Sequence, residues 1–312
     1  LTVRSERHAK ISPPLSVLVF MDSLIVTGAS GFLGRYILDA TVESYDVVGT
    51  YFRTAVTHPT VETHQVDLTD PPFDALREFD PDYIIHCAGL TNVDECERNP
   101  QRARELNVQM TENVALLAAE TDAHLVYVST DAVFDGTEPW SSEDASPNPI
   151  NVYGETKREG EQAAMRGHDT VTVVRTNFFG WTESGASTLA EWMLETLASG
   201  DELSGFEDMY FTPLYAGELA DSVVELLELG HTGLVHLAGS ERLSKLEFAH
   251  MLTDVFGYSS SLITPIQVSD LDLDADRGRD LSLDSSHAES LLGRSLPGCR
   301  TGLEQMKQER AP

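Results

Sequence analysis

The segment SLIVTGASGFLGRYIL, residues 23–38, constrains the fold more tightly than any other stretch. Apolar and β-branched residues lead straight into Gly28, and glycines recur at 31 and 34 while a helical pattern starts at Phe32. A strand that becomes a helix within so few residues needs a tight turn at the first glycine. The second lets the backbone approach a ligand, and the third permits close helix–strand packing. The free N–H groups at the start of such a helix, with the helix dipole behind them, suit a pyrophosphate. The segment therefore predicts the first βα unit of a dinucleotide-binding sheet.

The rest of the chain keeps that rhythm. Continuous apolar runs occupy 46–51, 83–89, 124–130, 170–176 and 233–239, as expected of strands buried on both faces of a parallel sheet. Helical patterns lie between or after them at Phe32 to Thr41, Arg102 to Glu120, Val152 to Met165, 187–199, Ala216 to Leu229 and Ser244 to Phe256. The expected fold is α/β, a Rossmann-type doubly wound parallel sheet with a smaller C-terminal substrate-binding lobe. Residues 21–177 form the sheet domain, with 216–238 returning to it, and 178–215 and 239–312 form the lobe. The stretch 269–293 reads as loop-rich.

Composition narrows the partners. Asp and Glu number 51 against 21 Lys and Arg, a formal charge of -30. Such a surface repels nucleic acid and anionic lipid, so an anionic ligand must meet a local positive patch. Acid spread along the whole length, over intact apolar periodicity, suits a solvent of high ionic strength, where screening relieves self-repulsion. A halophilic source is expected. Cys87, Cys96 and Cys299 share no metal-ligand spacing and are odd in number, so neither a metal site nor a disulfide framework is indicated, and a cytoplasmic location is expected. Residues 1–20 read as a loosely ordered extension before Met21. LSVLVF is too short for a signal-peptide core, and no run reaches the ~20 apolar residues of a membrane span.

Several positions carry chemistry. A second strand of an NAD-binding unit ends in an acid; here it runs into Arg53, which favours the 2′-phosphate of NADP. Asp67 either accepts from the adenine amine or forms a turn, and Leu68 would pack on the ring. Small Ala88 and Gly89 let a cofactor pass the sheet's carboxyl edge, and Cys87 beside them reads as a buried filler. Asp94, Glu95 and Glu97 read as the acidic start of a helix rather than a metal cluster. Ser129 and Thr130 end the fifth strand, and Tyr153 and Lys157 are four apart on one helix face. Lysine is rare here, with four in 312 residues, so its retention at 157 invites a chemical reason. Bringing a tyrosine from about pH 10 to about 7 takes roughly 4 kcal/mol, within reach of an adjacent ammonium and a nicotinamide cation. Tyr153 could then exchange a proton with a sugar oxygen as hydride moves.

Taken in order, TGASGFLG, CAGLTNVDECERNP followed by ELNV, VSTDAVFDG, NVYGETKREGE, VVRTNFFG and RGRDLSLDSS resemble the extended short-chain dehydrogenase/reductases, most closely the dTDP-4-dehydrorhamnose reductase branch. The resemblance implies a catalytic set of Thr130, Tyr153 and Lys157. It implies NADP(H), with NAD(H) as the alternative, held by Gly28, Ser30, Gly31, Phe32, Leu33, Gly34, Arg53, Asp67, Leu68, Cys87, Ala88, Gly89, Thr91, Val128, Tyr153 and Lys157. A nucleotide sugar would meet Thr130, Asp131 and Phe178, and a homodimer is the candidate assembly. Three departures stand out: Ala132 where the branch has tyrosine, Phe178 where it has tryptophan, and no proline after Arg277 or Arg279. The implied activity is NADPH-dependent reduction of a nucleotide-linked 4-keto-6-deoxysugar, in dTDP-L-rhamnose synthesis. The alternatives are another sugar-nucleotide epimerase or reductase, and a non-catalytic cofactor-binding subunit similar to the β subunit of methionine adenosyltransferase. A 4,6-dehydratase is disfavoured, because Thr130-Asp131 is followed by Ala132 instead of the glutamate that dehydration needs.

Overall fold

The computed structural model describes residues 21–56, 58–183 and 187–310; the expected extension, residues 1–20, lies outside them. In chain order come β1 (Ser23–Thr27), α1 (Phe32–Thr41), β2 (Asp46–Tyr51), β3 (Glu62–Gln65), α2 (Asp74–Glu78), β4 (Tyr83–His86), α3 (Val93–Arg98) and α4 (Pro100–Arg104). A π-helical turn (Glu105–Gln109) leads into α5 (Met110–Thr121), then β5 (His124–Val128), α6 (Val152–Gly167) and β6 (Val171–Thr176). Beyond β6 lie β7 (Phe178–Phe179), α7 (Leu189–Ala198), β8 (Leu203–Phe206), β9 (Tyr210–Phe211), β10 (Leu214–Tyr215), α8 (Ala216–Glu228) and β11 (Gly233–Leu237). The chain ends with β12 (Leu243–Ser244), α9 (Lys245–Phe256), β13 (Ile263–Ile266), α10 (Ser286–Leu292) and α11 (Cys299–Glu309).

Seven strands form one parallel sheet in the order β11-β6-β5-β4-β1-β2-β3. Successive strands step outward from β1 in one direction and then, from β4, in the other. The reversal leaves a crevice at the carboxyl ends of β1 and β4, where open α/β sheets bind ligands. Side chains alternate across the sheet, as the pleat dictates. Leu24 and Val26 enter the core shared with α1 and α8, and Ile25 enters the core shared with α5. Both faces are thus covered, which is why these strands are apolar throughout. Three two-stranded pairs, β10-β7, β12-β9 and β13-β8, build the region beyond β6.

Two expectations need correction. The helix read from Arg102 to Glu120 is broken by the π turn, which carries Asn107 inward: its Oδ1 accepts from Leu90 N at 2.8 Å, and its Nδ2 donates to Leu90 O and Thr156 Oγ1, each at 3.0 Å. An unbroken α-helix would trade this buried network for regular backbone bonds. The stretch read as loop-rich contains α10, which packs Ala288 into the main core and stops at Gly293 in the left-handed region (φ 66°).

Candidate active site

The glycine turn is built as its spacing demands. Gly28 has φ 67°, and a Cβ there would lie 2.8 Å from Ala88 Cα. The β1–α1 turn therefore presses directly on the residues following β4. At Gly34 a Cβ would drive into the Gly28 carbonyl and lie 2.9 Å from Ala29 Cα. Gly34 thus serves helix packing and lines neither of the two cavities along this crevice.

Two cavities open along this crevice. The outer one, about 310 Å³, is lined by Gly28, Ser30, Gly31, Arg53, Asp67, Leu68, Cys87, Ala88 and Gly89, together with Arg102 and Met110. The inner one, about 290 Å³, is lined by Gly31, Phe32, Leu33, Cys87, Ala88, Gly89, Thr91, Val128, Thr130, Tyr153, Lys157 and Phe178. Because Gly31, Cys87, Ala88 and Gly89 line both, the two make one cleft. It runs from the exposed Arg53 to the Tyr153 phenol. Asp131 lines neither. It is buried behind Thr130, accepting from Thr130 Oγ1 at 3.0 Å and from Asn177 Nδ2 at 2.6 Å.

The outer cavity offers a cation with no carboxylate partner among the described residues. Among the described residues Arg53 is the one arginine without a carboxylate partner; the others are paired within this acid-rich chain. Its guanidinium packs over the Phe52 ring at 5.6 Å and faces an acid-free cavity rim apart from Asp67. Asp67 is turned to its own loop, accepting from Thr69 N at 3.0 Å and Thr69 Oγ1 at 2.6 Å, and these bonds hold its carboxyl below the ordinary range. Both bonds go to Oδ1, so Asp67 makes its turn while remaining in the cavity lining.

Helix α6 sets the inner cavity. Asn151 caps it, its Oδ1 accepting from Gly154 N at 2.8 Å, while Glu97 accepts from Val152 N at 3.1 Å. Asn92 caps α3, and Asp94 there pairs with Arg277 at 2.9 Å. Tyr153 and Lys157 then project from one face into the cleft. Burial raises the Tyr153 phenol above its ordinary pKa, Thr130 opposes the rise, and Asp131 adds to it. The ammonium of Lys157 lies against the cleft wall: it donates to Val128 O at 2.7 Å and sits 4.2 Å from the centroid of the Tyr127 ring. Burial lowers Lys157 to about 8, with Glu161 holding it up. Phe178 closes the cavity against Phe32, centroids 5.0 Å apart.

Several residues had escaped the sequence reading. Arg102 enters the outer cavity, and Asn177 and Lys245 stand by Asp131. Lys245 was findable as another of the rare lysines. A third cavity of about 820 Å³, lined by Asp135, Gly136, Tyr210, Arg242, Arg277 and Arg279 among others, opens between the loop after β5 and the residues beyond β6. Glu161 and Arg175 form a fully buried ion pair at 2.8 Å. Its signal was an arginine inside the apolar run TVTVVRT.

A family profile described as the RmlD substrate binding domain matches residues 21–311. The chain belongs to this family. It is 35% identical over 281 residues to the "Probable low-salt glycan biosynthesis reductase Agl14" of Haloferax volcanii, covering 87% of this chain and 93% of that protein. It is 32% identical over 293 residues to the methionine adenosyltransferase 2 subunit beta of Bos taurus, covering 90% and 86%. A crystal structure of dTDP-4-dehydrorhamnose reductase from Bacillus anthracis, in complex with NADP, superposes with TM-score 0.82 at 26% identity, covering 93% of this chain and all of that one. The RmlD family profile and this superposition together place the chain in the extended short-chain reductase branch that the motifs resemble.

Proposed function

We propose that the chain is an NADPH-dependent reductase of a nucleotide-linked 4-keto-6-deoxysugar, of the dTDP-4-dehydrorhamnose type. The observation that carries this is the single cleft joining an unpaired Arg53 to Thr130, Tyr153 and Lys157. NADPH would supply hydride to the C4 carbon. Tyr153 would give its proton to the C4 oxygen, Thr130 would orient that oxygen, and Lys157 would hold the ribose hydroxyls. Arg53 would take the 2′-phosphate, and the glycine turn the pyrophosphate. Burial makes the phenol a weaker acid, against the fall towards 7 expected from its spacing to Lys157, so proton transfer would rely on the nicotinamide cation that forms as hydride leaves. The reductase relatives support the reading.

The division of labour follows the sheet. We assign 21–177 and 216–238 to cofactor binding and 178–215 and 239–312 to the substrate lobe; the return of β11 to the sheet supports this. No described helix is long and apolar enough to cross a membrane. The three free cysteines fit a cytoplasmic protein, and the acidic surface a halophilic one. For assembly we propose a homodimer, supported by exposed Leu116 and Met165 on the packed pair α5 and α6.

A second reading is favoured by the likeness to the methionine adenosyltransferase subunit: a cofactor-binding regulatory chain. The deciding experiment follows NADPH oxidation with dTDP-4-dehydro-6-deoxy-L-mannose in molar KCl, for wild type and Tyr153→Phe. The reductase reading expects turnover that Tyr153→Phe reduces by about 10²- to 10⁴-fold. A silent wild type that co-purifies with a synthetase partner would reject it in favour of the regulatory chain.

A further inference from the structure

We propose that Glu161 is a positioning residue of this site, its carboxylate fixing both the strand end that carries Thr130 and the charge of Lys157. The proposal rests on the reductase reading above and adds a residue to it. Tyr153, Lys157 and Glu161 follow one another at four-residue steps, so they form a ladder on one face of α6. Lys157 holds the carbonyl of Val128, and Glu161 Oε1 accepts from Ser129 Oγ at 2.7 Å. Helix α6 therefore grips two consecutive residues of the strand end, Val128 and Ser129, and Thr130 follows them directly in the wall of the same cleft.

The grip is rigid because Glu161 is itself held. Arg175 meets it through two parallel bonds, Nε to Oε1 and Nη2 to Oε2, each 2.8 Å, and Arg158 adds a third at 3.3 Å. Glu161 and Arg175 are 0% and 1% exposed. Replacing a buried ion pair by apolar residues of similar volume is often neutral or stabilising. Stability alone therefore does not explain why a charge pair stands here, whereas its place one turn below Lys157 does. Among titratable and charged groups, Tyr127 of β5 and Arg158 of α6 face Glu161, and His236 of β11 faces Arg175. His86 and Cys87, from β4 and its end, face Lys157. His86 and Cys87 are neutral near pH 7, so Glu161 is the anion that keeps Lys157 charged.

The test reads NADPH affinity from the change in its fluorescence across about pH 6 to 9, spanning the Lys157 value of about 8. It compares wild type, Glu161→Gln, and the double variant Glu161→Leu with Arg175→Met, which fills the pair with apolar atoms and keeps the fold. Wild type should lose affinity as pH rises through about 8. Both variants should show the loss at a lower pH, Glu161→Gln by the larger shift because it also leaves the Arg175 cation unpaired. Ser129→Ala keeps the ion pair, so it should leave this midpoint in place while lowering kcat at least ~10-fold through a loosened Thr130. A folded double variant with an unmoved midpoint overturns the proposal, as does Ser129→Ala with wild-type kcat. A wild type that binds no NADPH at any pH refutes the reductase reading, and this proposal with it.

Discussion

Gly160 sits on α6 between Lys157 and Glu161, and replacing it with alanine separates the cost of packing from the cost of misplacing the site. A Cβ there would lie 2.5 Å from the Asn107 carbonyl and 3.0 Å from Tyr127 Cζ, and nearer still to the Tyr127 hydroxyl. Neither neighbour can yield. Asn107 belongs to the π turn that its own side chain ties to Leu90, and Tyr127 is fully buried. Ordinary contact needs about 3.5 Å, so α6 must retreat by about 1 Å. Such overpacking costs about 1–3 kcal/mol, and alanine returns roughly 1 kcal/mol of helix propensity. The expected net loss is about 1 kcal/mol, or ~2–4 °C in Tm for a domain of this size. A 1 Å shift of groups that must meet reacting atoms costs on the order of 10² in rate. Gly160→Ala should therefore stay folded while NADPH oxidation falls about 100-fold. A folded variant with wild-type kcat would refute the claim that the α6–π-turn contact sets the catalytic geometry, and loss of folding would show the packing cost to be underestimated.

Arg53→Ser should weaken NADPH binding by about 10- to 100-fold, the worth of a charge-assisted hydrogen bond, and leave NADH nearly unchanged; equal losses for the two cofactors would remove Arg53 from the 2′-phosphate. His86, His124, His231 and His236 are all held below the ordinary histidine value by burial, His86 to about 3. The unfolded chain takes up protons first, near pH 6.5, so stability should be full above that pH and fall steadily towards pH 3. A urea midpoint that stays flat from about pH 7 to 5 contradicts the burial of these rings. The urea midpoint should also rise with KCl, because 51 acids against 21 bases repel one another. A midpoint indifferent to salt would detach the composition from a saline interior.

What could be read before the structure follows from how local each feature is. The β1–α1 turn was legible because glycines at 28, 31 and 34 answer to contacts within one βα unit and its neighbour Ala88. Tyr153 and Lys157 were legible because helical spacing alone puts them on one face. The π turn was not: it exists because Asn107 reaches Leu90, seventeen residues away, and an asparagine in a helical pattern looks like any polar residue. Nor was Glu161–Arg175, whose partners sit fourteen residues apart on a helix and the strand that follows it. In GETKREGE the glutamate looks like part of the solvated acidic surface.

That ambiguity bears on the two readings of function. On the proposed roles, holding the cofactor would call on the glycine turn, Arg53 and Lys157, whereas moving a proton to a sugar oxygen would call also on Tyr153 and on a Thr130 fixed in place. A chain that only bound NADPH would need neither the phenol nor the grip on the strand end. Thr130 and Asp131 are both buried, and the hydroxyl donates to a carboxylate whose pKa is itself raised by burial. Maintaining this arrangement costs desolvation that simple cofactor binding does not require. Its presence beside an intact Tyr153 is why turnover, more than regulation, accounts for the inner half of the cleft.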